Sequence, residues 1–115
     1  MPAEPERAAA IRDDLRRQAG RWLKAQREAA GLTQADVAER LGLRYYTFVS
    51  QVEGGHGRIP PEHYEGWAQA VGLDARIFAK MILRYYDPEM HRLLFPEEAA
   101  VPVPSRAASG GGSAA

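Results

Sequence analysis

Glycine punctuates this sequence at short intervals, and that limits what it can build. Gly31, Gly42, the run Gly54-Gly55-His56-Gly57 and Gly72 interrupt stretches in which apolar residues recur at helical spacing. Glycine takes the positive φ that closes a helix or a tight turn without steric cost. The chain must therefore assemble its core from short helices. No stretch shows the alternation of a half-buried strand.

Five helical segments follow from this pattern. The first spans about Ala9 to Ala30, with Ile11, Leu15, Trp22 and Leu23 close to one face and Gly31 as its stop. The second spans Thr33 to Leu41. Thr33 and Asp36 form the [ST]-x-x-[DE] capping box, and Val37, Ala38 and Leu41 give the apolar face. The third spans about Tyr45 to Glu53 with Val49 and Val52 inward. Pro60 and Pro61 open the fourth, where proline suits a first helical turn. Tyr64, Trp67, Ala68 and Val71 make the clearest helical stripe of the chain. Asp74 caps a fifth helix that carries Ile77, Phe78, Met81, Ile82 and Tyr85, and Asp87-Pro88 ends it. Trp22, Tyr64, Trp67 and Phe78 are expected in the core. Residues 1–8 are expected to be a flexible N-terminus, residues 9–95 one domain, and residues 96–115 a disordered Pro/Ala/Ser/Gly tail.

Composition removes several classes of function. Without cysteine there are no disulfides or thiolate metal sites. His56, His63 and His91 are dispersed and match no zinc spacing. Gly54-Gly55-His56-Gly57 lacks the Gly-Lys-Ser/Thr of a phosphate-cradling loop and follows no strand. Asp13-Asp14 and Glu97-Glu98 are sequence neighbours that point apart on a helix, so they do not pair for acid–base chemistry. No nucleophile has a base beside it. An enzyme and a cofactor are both unexpected. The polar, acidic start differs from a signal peptide, and no stretch is long and apolar enough for a membrane span, so a cytoplasmic location is expected. The net charge of zero hides an uneven distribution. From Arg16 to Arg58 there are eight Lys/Arg against four Asp/Glu; from Pro61 onward five oppose seven. The basic stretch suits either a solvated surface or a polyanion.

The stretch 31–55, GLTQADVAERLGLRYYTFVSQVEGG, has a capped helix, a glycine-containing turn and a second short helix. That is the layout of a helix-turn-helix, whose second helix enters the major groove. The sequence resembles the phage repressor and Cro class of such proteins, also called the XRE family. The matching residues are Gly31-Leu32-Thr33-Gln34, Val37-Ala38, Leu41-Gly42, Val49-Ser50-Gln51-Val52-Glu53 with Gly55, and Ala70-Val71-Gly72-Leu73. The resemblance covers roughly residues 20–83 and implies a compact, all-α, five-helix repressor-like domain, here with an extra C-terminal segment. One extra residue lies around Arg44-Tyr45-Tyr46, so either the turn or the first recognition turn is longer than usual.

The resemblance implies specific roles. Gln34 would begin the second helix and touch phosphate through its side chain or backbone N–H. Tyr46, Thr47, Ser50 and Gln51 would meet base edges, and Arg44 and Arg58 the DNA backbone. Tyr45 and Tyr46 are equally open to packing against the second helix or the domain edge. Arg27 and Glu53 match an ion pair between the first helix and the end of the recognition helix. The implied function is a DNA-binding transcriptional regulator, working as a homodimer on a two-fold site. A narrower version is an antitoxin-type autoregulator. A different class is a protein-interaction module that keeps the fold without binding DNA, which the neutral net charge and the Tyr-Tyr-Thr-Phe segment favour. Residues 88–95 lie beyond the five-helix core. Met90, Leu93, Leu94 and Phe95 there are expected to serve dimerisation or a protein partner, or else to fold back over Tyr85 or Trp22.

Overall fold

The computed structural model describes residues 3–100; Met1, Pro2 and most of the tail expected over 96–115 lie outside the described residues. The chain forms α1 (Glu4–Ala29), α2 (Gln34–Arg40), α3 (Thr47–Glu53), a 3-10 turn over Pro61–His63, α4 (Tyr64–Val71), α5 (Ala75–Tyr86), α6 (Pro88–Leu94) and α7 (Pro96–Ala100). It is an all-α fold, with no strand among the described residues. The first five helices enclose the core, and α6 and α7 follow α5.

The helix ends show why the elements begin where they do. The first helix starts at Glu4, not Ala9, because its opening sequence caps itself. Pro5 sits in the first turn, and Ala3 N–H donates to the Glu6 carboxylate at 2.8 Å. Acidic Glu4 and Glu6 also suit the positive end of the helix dipole. At α2, Asp36 N–H donates to Thr33 Oγ1 at 3.0 Å and Thr33 N–H donates to Asp36 Oδ2 at 2.8 Å, the reciprocal capping box. The bond from the Thr33 backbone foremost, and then the Thr33 side chain, hold the Asp36 carboxyl below its ordinary value. Asp74 accepts from the N–H groups of Arg76 and Ile77, both at 3.1 Å, to open α5.

Trp67, Phe78, Leu23, Ile59, Ile82, Val37, Val49 and Val52 are fully buried, so each of the first five helices contributes to one core. Trp22 and Tyr64 are half-buried at its edge, with ring centres 5.8 and 6.2 Å from Phe78. Two residues placed on apolar faces by periodicity do not pack: Ile11 and Ile77 are 60% and 57% exposed. On α1 burial begins only at Ala19 and continues through Gly20, Leu23 and Arg27. The preceding turns therefore contribute no fully buried residue.

The C-terminal segment divides its apolar residues. It packs α6 against α5, and buries His91 beside the half-buried Phe95, ring centres 5.2 Å apart. Met90, Leu93 and Leu94 face outward. Residues 96–100, expected within the disordered tail, form α7.

Two glycines let α1 and the end of α3 approach closely. A Cβ built on Gly20 would lie 2.1 Å from the Glu53 carbonyl oxygen. A Cβ on Gly55, where φ is +82°, would lie 2.7 Å from Arg17 Cγ. Alanine is intrinsically the better helix former by about 1 kcal/mol, yet at position 20 it would meet a backbone carbonyl that cannot rotate away. Overpacking of this kind typically costs about 1–3 kcal/mol. Gly20→Ala is expected to lower the midpoint of chemical denaturation; an unchanged or raised midpoint would contradict the close approach.

Candidate nucleic-acid interface

A seven-residue helix cannot hold its own orientation, because most helical stability in a protein comes from packing. The orientation of α3 is set instead by its inner face. Val49 and Val52 enter the core, and Glu53 is 8% exposed. Glu53 receives three side-chain hydrogen bonds. Arg27 Nε donates to Oε2 at 2.7 Å, Arg27 Nη2 to Oε1 at 3.0 Å, and Gln34 Nε2 to Oε1 at 3.0 Å. Arg27 Nη1 also donates to the Leu32 carbonyl at 2.8 Å. One carboxylate thus joins α1, the start of α2 and the end of α3, and its partner arginine holds the loop between α1 and α2. The hydrogen bond to Glu53 raises the Arg27 pKa above its ordinary value, against an opposing effect of burial.

With that face fixed, the opposite face of α3 is free. Thr47, Ser50 and Gln51 are exposed and share one side at i, i+3 and i+4. Tyr46, at the N-cap of α3, is 54% exposed, and Tyr45 is 65% exposed. Tyr46 lines a shallow depression with Thr33, Gln34 and Ala35 at the start of α2. The start of α2 and the N-terminal end of α3 therefore adjoin.

Several residues sit differently from the sequence expectation. The third helix begins at Thr47, not Tyr45, so Tyr45 lies in the connection and Tyr46 caps the helix. The link Leu41–Tyr46 precedes it, with a tight turn at Gly42 where φ is +74°. Gln34 is the first residue of α2, but its side chain is engaged by Glu53. Arg44 stands beside the Tyr45 ring, 5.6 Å from its centre. Arg58, expected to flank the groove, lies over Tyr86 at 4.8 Å, drawn there by cation–π attraction. Tyr86 in turn accepts the Ile59 N–H at 3.1 Å, which holds the loop after α3 on α5. Neither Tyr45 nor Tyr46 is buried against α2. The Gly20 and Gly55 contacts and the Gln34–Glu53 bond carry no local sequence signal.

Among the described residues no three His, Asp or Glu side chains converge as a metal site, and no helix is long and apolar enough to cross a membrane. The profile of the family described as "Helix-turn-helix domain" matches residues 18–76, just over half of the chain. The chain belongs to this helix-turn-helix domain family. The match runs from within α1 to the start of α5, so it takes in the Arg27–Glu53 pair as well as the helix-turn-helix unit. No curated protein and no solved structure matched. Membership in a helix-turn-helix domain family supports a DNA-binding protein in general terms.

Breaking a buried ion pair by removing one partner typically costs about 3–5 kcal/mol, because the other charge is left uncompensated. Glu53→Ala and Arg27→Ala are each expected to destabilise the fold on that order in urea denaturation. The double replacement Arg27→Met/Glu53→Leu is expected to lose less than either single change. Additive losses in the Arg27→Ala/Glu53→Ala double variant would show that the two side chains act independently.

Proposed function

We propose that this chain is a sequence-specific double-stranded DNA-binding transcriptional regulator of the phage repressor/Cro (XRE) type, with α3 in the major groove. The observation that carries this reading is the division of α3 into a locked inner face and an exposed polar outer one. Gln51 suits bidentate pairing with adenine, Thr47 a thymine methyl or base edge, and Ser50 either. Tyr46 and Tyr45 stand at the entry to the groove, and Arg44 reaches a phosphate. Gln34 contributes its backbone N–H to phosphate, since its side chain is held by Glu53. The concentration of basic residues between Arg16 and Arg58 supplies the attraction to a polyanion. A homodimer on a two-fold site follows from the way this motif docks.

A second reading draws on a specific observation. Two large aromatics, Tyr45 and Tyr46, are more than half exposed in a chain of zero net charge, as at the centre of a protein interface. Selection from a random duplex pool separates the two. The DNA reading expects one enriched sequence, bound with a steep salt dependence. On that duplex Gln51→Ala is expected to lose about 1–3 kcal/mol of binding, and markedly less on random DNA. Arg44→Ala is expected to weaken both and to flatten the salt slope by about one unit. Equal losses on both duplexes would remove Gln51 from base reading. No enrichment at all would favour the protein-interaction module.

A further inference from the structure

A groove of about 260 Å³ lies between α4, α5 and the end of α6, away from the outer face of α3. Ala79, Leu83 and Phe95 give it an apolar floor, with the largely exposed Leu94 at its edge. Its rim carries two cations, Arg76 and Lys80, which share one side of α5 at i and i+4. Arg76 is exposed and makes no ion pair among the described residues. Lys80 lies 4.5 Å from the centre of the Phe95 ring, at the edge of the floor.

The chain itself shows what this rim holds. Glu98, from α7, places its carboxylate on Lys80, and its other oxygen lies 3.6 Å from Nε2 of the buried His91. A carboxylate carried on α7 already occupies the cationic rim, while the apolar floor beside it is open to solvent. An occupant must satisfy both. It needs an anionic head to replace Glu98 on Lys80 and reach Arg76, and an apolar tail to cover Leu83, Leu94 and Phe95. The volume is below the usual range for a drug-sized ligand, so the tail must be short.

We infer that the α5–α6 groove is a binding site for a small amphipathic carboxylate, whose head competes with Glu98 for Lys80 and whose short hydrocarbon or aromatic tail lies on Leu83, Leu94 and Phe95. Binding exchanges one carboxylate for another on Lys80 and forms no covalent bond. Because Glu98 anchors α7 to α5, an occupied groove releases α7. The inference does not depend on how α3 meets DNA.

Octanoate is the probe, followed by amide chemical-shift titration of the full chain without DNA, with octanol and acetate as controls for head and tail. Octanoate is expected to shift the amides of Lys80, Leu83, Leu94 and Phe95. It is expected to bind at least tenfold more tightly than octanol, and acetate to cause no shifts at those positions. Lys80→Gln and Arg76→Gln are each expected to weaken octanoate by tenfold or more. Glu98→Gln removes the competing carboxylate and is expected to strengthen octanoate several-fold while leaving octanol unchanged, a split that general apolar adhesion would not give. Comparable affinity for octanol and octanoate would overturn the assignment. So would shifts centred elsewhere, or an unchanged or weaker affinity in Glu98→Gln. Arg76 is exposed and Glu98 lies outside the core, so their variants test the site even if Lys80→Gln alters local packing.

Discussion

The Glu53 carboxylate is the point on which the arrangement of the helix-turn-helix depends. Two nitrogens of Arg27 and the amide of Gln34 converge on it from α1 and α2. Isolated charges are costly to bury, and this pair is tolerable because its geometry is bidentate and the remaining arginine donor reaches the Leu32 carbonyl. A hydrophobic contact at the same place could hold α3 against α1 in several rotational settings. A planar guanidinium on a carboxylate permits few. Its bidentate geometry suits the pair to fixing which residues of α3 face outward.

The packing around it is consistent with that role. Gly20 lets the backbone of α1 approach the Glu53 carbonyl, and Gly55 turns the chain away over Arg17. The capping box at Thr33 and Asp36 sets the start of α2, which positions Gln34. Stacking of Arg58 on Tyr86, and the bond from Ile59 N–H to the Tyr86 hydroxyl, hold the exit loop on α5. Both ends of α3 are thereby constrained, and Thr47, Ser50 and Gln51 lie between them.

Much of the fold was legible in the sequence wherever the determinant is local. The Thr33–Asp36 box, the turn at Gly42 and the stripe Tyr64-Trp67-Ala68-Val71 are decided by residues within a few positions of one another. The start of α1 is hidden in the sequence because Pro5, Glu4 and Glu6 look like a solvated tail by composition, although the same residues suit a first helical turn. Apolar spacing puts the start of α3 at Tyr45, yet Tyr46 caps the helix without any side-chain bond, so nothing in the sequence marks the boundary. Thr47, Ser50 and Gln51 lie exposed on the helix after the turn, as their spacing implies, but the engagement of Gln34 by Glu53 and of Arg58 by Tyr86 has no such signal. Those contacts join residues far apart in sequence, and the close approach at Gly20 is of the same kind. The exposure of Ile11 and Ile77 has a related origin: periodicity gives the direction of a side chain on its helix but not whether a neighbour is there to meet it.

The proposed docking of a locked α3 on DNA is tested most directly by mapping amide and arginine side-chain shifts of the intact protein on addition of a duplex selected from a random pool. The largest changes are expected at Tyr46, Thr47, Ser50, Gln51 and the Gln34 amide, with the Arg27 guanidinium signals unmoved because the pair with Glu53 stays closed. Binding that leaves α3 unperturbed, or that shifts Arg27 as strongly as Gln51, would contradict it.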